Sequence, residues 1–83
     1  MDIKFPAVET RSSFDVIFPA EVDGAKVICK VSIEALQDYF SAGADGLPAF
    51  KAHRAEFEEK AEQKIRSNQF QEDGTILITT MDF

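Results

Sequence analysis

A chain of 83 residues, 45% apolar, suffices for one packed domain, residues 1–83, and is too short for two. Its single cysteine, Cys29, excludes an internal disulfide, and Cys29 with the single His53 cannot build a zinc site without carboxylates or a second chain. The net charge of −6 opposes docking on nucleic acid or anionic lipid, both of which rest on positive charge.

The chain opens Met1-Asp2-Ile3-Lys4-Phe5-Pro6, without an apolar run of signal-peptide length. Ile3–Phe5 is a candidate edge strand stopped by Pro6, and Val8–Ser13 reads as a connecting loop. The strongest local signal is Asp23-Gly24, a two-residue hairpin turn. Pairing across it sorts the flanking residues by face. Val22/Ala25, Ala20/Val27, Phe18/Cys29, Val16/Val31 and then Phe14 fall on one apolar face. Glu21/Lys26, Pro19/Ile28 and Ile17/Lys30, with Asp15 beyond, fall on a mixed one, and a slip of one residue would scramble this sorting. Pro19 has no N–H for a further strand, so a neighbour on that side is expected short of it, near Phe14–Phe18, with Ile3–Phe5 as the candidate.

Ser32 is placed to cap a helix that carries Ile33, Leu36 and Phe40 along one face, and Ser41–Gly46 ends it. Pro48 suits a first helical position. From there to Asn68 the absence of Gly and Pro predicts one long helix, about 30 Å, with Phe50, Arg54, Phe57, Ala61 and Ile65 on its inner stripe. Gln69–Gly74 is a polar break, and Thr75–Thr80 reads as a final β-branched strand. No apolar stretch is long enough to span a bilayer. The order β-β-β-α-α-β predicts a two-layer α+β domain: an antiparallel sheet with one short and one long helix packed on one face.

Charge is unevenly distributed. The long helical segment sets Lys51, Arg54, Lys60, Lys64 and Arg66 against Glu56, Glu58, Glu59 and Glu62, while the rest of the chain is acidic. Interspersed signs of this kind mark a solvated helix face rather than a phosphate track or a metal-binding acidic helix.

Three clusters carry a resemblance. They are Phe18-Pro19-Ala20 ahead of the Asp-Gly turn, Cys29-x-x-Ser32-x-x-Ala35-Leu36, and Phe50-x-x-His53-Arg54-x-x-Phe57-Glu58-x-x-Ala61-Glu62-x-x-Ile65. Together they resemble the bacterial family called domain of unknown function 1488, over most of the chain. The resemblance implies a small cytoplasmic α+β protein and assigns no activity, so no functional residue carries over from it.

His53 and Arg54 are the candidate binding pair. One reading makes them an anion or carboxylate site, with the Arg54 fork and a second donor from His53. The other lays the Arg54 stem along the sheet with its head on an acid such as Glu58, while His53 hydrogen-bonds a loop carbonyl. Cys29 falls on the apolar hairpin face, where burial makes a thiol a poor nucleophile. No catalytic residues, cofactor or metal ligands are identified, and the chain reads as non-enzymatic. The expected function is a small interaction module whose partner is itself, as a homodimer, or another protein. The alternatives are a small-ligand binder or minimal enzyme built on His53 and Arg54, and a transcription-associated regulator, which the charge pattern disfavours. Ile17, Pro19 and Ile28 make the mixed sheet face the place where a partner is expected.

Overall fold

At the Asp23-Gly24 turn both residues take positive φ, 51° and 86°, as a turn matched to the twist of a hairpin requires. It joins β3 (Asp15–Val22) to β4 (Ala25–Val31) in a computed structural model that describes residues 1–12, 14–40, 42–43 and 45–83. Ser13, at the end of the expected first loop, and Ser41 and Ala44, in the segment expected to end the first helix, lie outside the described residues. The hairpin register is the predicted one, from Val22 opposite Ala25 to Val16 opposite Val31. Val16, Phe18, Ala20, Cys29 and Val31 are fully buried on one face. Phe14 does not join them: it occupies a turn before β3 and is 64% exposed.

The edge beside β3 corrects the expected pairing. β1 (Ile3–Lys4) pairs with Val22 and Glu21, on the turn side of Pro19. β2 (Thr10–Ser12), expected as loop, occupies the stretch near Asp15–Ile17 where Ile3–Phe5 was expected. Both segments are antiparallel to β3, and Pro19 lies between their pairings. Its missing N–H forbids a ladder bond only at its own position, so the chain uses the edge on either side of it. Asp2 and Asp23 fasten β1 to the turn: the Asp2 N–H donates to Asp23 Oδ1 and the Asp23 N–H to the Asp2 carbonyl, each at 2.8 Å.

The helical layer begins with α1 (Ile33–Phe40). Ser32 Oγ accepts from the Ala35 N–H at 3.3 Å, as a capping serine should. Asp15 adds a cap from the sheet, its Oδ1 accepting from the Ile33 N–H at 2.9 Å. The expected single helix is two, α2 (Leu47–Ala52) and α3 (Arg54–Arg66), parted at His53 with φ −122° and ψ 25°. There the His53 N–H is shared between the carbonyls of Ala49 and Phe50, and the Glu56 N–H returns to the His53 carbonyl at 3.0 Å. This tightening is that of a short 3₁₀ step. Tertiary contacts override local propensity at the break. The His53 ring packs on Phe40 with centroids 4.8 Å apart, while Arg54 is drawn to the N-terminal segment. Asn68, at φ 59°, ends α3 with the Gln69 N–H on the Lys64 carbonyl, a left-handed helix stop.

β5 (Ile76–Ile78) runs parallel to β4, with Cys29 opposite Ile76 and Val31 opposite Ile78. The two-layer α+β class stands, and the sheet is antiparallel except for this last pairing. Parallel neighbours need a crossover, which α1, α2 and α3 supply between β4 and β5. The strand order is β1-β3-β4-β5 with β2 also beside β3. Phe18, Phe50, Phe57, Leu36, Ile65, Ile76 and Ile78 fill the space between the layers, and Phe50 stacks on Phe57 at 5.3 Å. No described residue buries a charged or polar side chain in this core.

Candidate functional site

The sheet face turned away from the helices carries the expected mixed surface. Burial alternates along β3: Val16, Phe18 and Ala20 are sealed, whereas Asp15, Ile17 and Pro19 are half-buried and Glu21 is exposed. On β4 and β5 the same face presents exposed Lys26 and half-buried Ile28, Lys30 and Leu77. Period-2 side-chain alternation produces this sorting, so the face is a direct consequence of the hairpin register.

The segment after α3 turns this face into a groove of about 670 Å³, lined by Ile17, Ile28, Lys30 and Leu77 on its floor and by Gln71, Glu72, Asp73 and Thr75 on its wall. The wall is preformed. The Gly74 N–H donates to the Gln71 carbonyl at 2.9 Å and the Gln71 N–H to the Thr75 carbonyl at 2.8 Å. Asp73 Oδ1 accepts from both the Thr75 hydroxyl, at 2.7 Å, and the Thr75 N–H, at 3.1 Å. These donors hold the Asp73 carboxyl below its ordinary pKa, the hydroxyl contributing most. Lys30 Nζ lies 3.5 Å from Asp15 Oδ2 on the floor.

The outer edge of β5 is closed at both ends by side chains of the same chain. The Thr75 N–H is taken by Asp73, and the Thr79 N–H donates to Asp82 Oδ2 at 2.8 Å. These caps take the N–H groups that flank β5 at its two ends.

His53 and Arg54 engage different neighbours. Arg54 Nε donates to Glu58 Oε2 at 2.6 Å and Nη1 to Glu9 Oε2 at 3.2 Å. Its Nη2 donates to the Pro6 and Val8 carbonyls at 2.7 and 3.2 Å. The guanidinium lies 5.3 Å from the centroid of the Phe50 ring. All three guanidinium nitrogens are thus engaged within the chain, and an anion arriving there would meet two carboxylates. His53 sits on Phe40 instead, its Nδ1 3.4 Å from Glu56 Oε2. The pair does not converge on one point. Arg54 acts as a strap for residues 6–9, with Glu58 as the expected acid and Glu9 as one that sequence spacing could not reveal.

Cys29 is fully buried, and burial pushes its thiol pKa up to about 12, so it is no nucleophile. Glu56, Glu58 and Glu62 pair with His53, Arg54 and Arg66. The described residues contain no group of His, Cys, Asp and Glu able to hold a metal ion, and no helix among them is long and apolar enough to cross a membrane.

Sequence reasoning missed the groove wall and Leu77. The alternation that placed Ile17 and Ile28 outward would have placed Leu77 outward too, between the buried Ile76 and Ile78. It also missed an exposed aromatic corner, where Tyr39 and Phe83 lie 5.4 Å apart and Lys60 Nζ sits 5.5 Å from the centroid of the Phe83 ring.

The family model for DUF1488, described as a protein of unknown function, matches residues 3–78. No curated protein matches the chain. Among solved structures, the chain is similar to a protein of unknown function from the DUF1488 family of Shewanella loihica PV-4. The two share 23% sequence identity, the match covers 92% of this chain and 90% of that one, and the TM-score is 0.85. At that identity the likeness speaks for the fold.

Proposed function

Because the chain belongs to the DUF1488 family, whose description assigns no function, we propose on structural grounds that it is a non-enzymatic module that docks a partner protein on its outer sheet face. The observation that carries this reading is the preformed groove over Ile17, Ile28 and Leu77. It joins a half-buried apolar floor to a polar wall that carries Glu72 and Asp73, the anatomy of a protein interface. The side-chain caps at the two ends of β5 leave a short free edge, which favours a face over a strand-addition contact. Cys29 as a free, buried thiol supports a reducing, cytoplasmic setting.

The test is capture by a tagged full-length chain from a cell extract supplemented with an untagged copy of the same chain. Native protein is compared with Ile28→Glu and, off the face on α3, with Glu59→Ala. A protein held by the native chain and by Glu59→Ala, and released by Ile28→Glu, supports the reading. Equal retention by all three overturns it.

A further inference from the structure

We infer that the partner seated on the outer sheet face is a second copy of this chain, related by a two-fold axis that runs along the strands between β3 and β4. The inference rests on the docking reading above and names its partner.

Within the hairpin the charges of that face are sorted by strand, and Lys4 of β1 lies outward opposite Glu21. Outward positions of β3 carry acids, Asp15 and Glu21, and outward positions of β4 carry lysines, Lys26 and Lys30. Ile17, Pro19 and Ile28 lie between them. A face with acids on one strand and lysines on its neighbour is complementary to itself under one operation. Rotation about an axis parallel to the strands and midway between them lays β3 of each copy on β4 of the other, without changing height along the strand. The register inside the hairpin then recurs between copies. Glu21 of one meets Lys26 of the other, and Pro19 meets Ile28, each twice, as an isologous contact requires.

The alternative axis, lying across the strands, reverses each strand onto itself and sets Lys26 against Lys30. Like charges directly opposed are unfavourable, so the charge pattern selects the axis along the strands. That choice also gives aligned sheet packing, the common way in which two sheets meet face to face, about 10 Å apart. Glu21 and Lys26 are both exposed, and neither makes an ion pair among the described residues, whereas Lys30 is paired with Asp15. The contact between copies therefore gives Glu21 and Lys26 partners without breaking a bond the single chain already makes.

Sedimentation of the purified full-length chain at micromolar concentration tests this with a pair of charge variants, Glu21→Lys and Lys26→Glu, each first shown by circular dichroism to be folded. The native chain is expected to be a dimer that weakens as salt is raised. Each variant alone opposes like charges twice and is expected to associate about tenfold or more weakly. Mixed one to one, the variants are expected to recover the dimer, because the two introduced charges then face each other and so do the two native ones. A fault in folding would not be cured by mixing. Failure of the mixture to associate overturns the two-fold register and with it the proposal. A monomeric native chain, together with a foreign protein released by Ile28→Glu, overturns self-docking and leaves the docking reading standing. A monomeric chain with no capture that depends on Ile28 overturns both.

Discussion

Arg54 and Pro6, 48 positions apart, are joined by a 2.7 Å hydrogen bond from the guanidinium Nη2 to the proline carbonyl. That bond ties the helical layer to the segment between β1 and β2. It is reinforced by Glu9, which receives Arg54 Nη1 and lies 3.8 Å from Lys51 Nζ. The Arg54 side chain is only 21% exposed, so these bonds are partly shielded from water.

Arg54→Ala is therefore expected to cost about 2–3 kcal/mol, from hydrogen bonds to a charged group and from leaving Glu9 with Lys51 alone. In a domain of this size the melting temperature should fall by roughly 10 °C or more. Arg54→Lys should recover only part of the loss, because one ammonium cannot reproduce the fork that reaches two carbonyls and two carboxylates. Thermal melts followed by circular dichroism, with amide exchange of residues 5–12, check this. Unchanged exchange in Arg54→Ala would mean that the segment is held without its strap.

Gly46 offers a second test. It is buried where α2 begins, and a Cβ there would lie 2.6 Å from Leu36 Cδ1 and 3.3 Å from Ile33 Cδ1. Leu36 is fully buried and has nowhere to swing. Gly46→Ala is expected to destabilise by about 1–3 kcal/mol through overpacking. Gly43→Ala meets nothing within 4 Å and should be neutral or slightly stabilising. Urea midpoints of the two variants separate crowding from backbone entropy, since only the first has a neighbour to crowd.

The groove wall makes a prediction about acid. Thr75 holds Asp73 below its ordinary pKa of 3.8. A carboxyl with a lowered folded value contributes stability above its unfolded pKa and loses it as pH falls through the folded one. Thr75→Val removes the larger of the two donors and keeps the backbone N–H, so the Asp73 midpoint should climb back toward 3.8. Carbon-detected NMR titration reads that midpoint directly. A native midpoint at or above 3.8 would show that the wall is not built on this carboxylate.

The hairpin was legible in the sequence because two independent signals agree: a turn dipeptide that demands positive φ, and a period-2 pattern that fails under a one-residue slip of register. The outer face follows from the same alternation. Pro19 was half legible, since its chemistry forbids one bond and says nothing of the edge beyond it. The break at His53 was not legible, because Phe40, Pro6 and Glu9 come from elsewhere in the chain and no glycine or proline marks the spot. Nor was the direction of β5, since three residues pair as readily either way and the crossover that orients them is tertiary. Of the candidate pair, the Arg54–Glu58 contact could be read from i, i+4 spacing, whereas the separation of His53 from Arg54 required the packed molecule.

Cys29 links the core to alkaline stability. Burial raises its thiol from the ordinary 9.0 to about 12. Between those values the unfolded chain has lost the proton that the folded chain still holds, so stability falls as pH rises through that window. Cys29→Ala removes this dependence, at about 1 kcal/mol or more for the lost packing. Urea unfolding at pH 8 and pH 10.5 should therefore show a steeper loss for the native chain than for Cys29→Ala. Lysine and tyrosine ionisation act on both proteins and cancel in the difference. Equal losses in the two would mean that the thiol ionises as readily inside the sheet as outside it. Alkylation by iodoacetamide gives an independent reading: the native thiol should resist at pH 8 and react once urea opens the core, because only an exposed thiolate is a nucleophile.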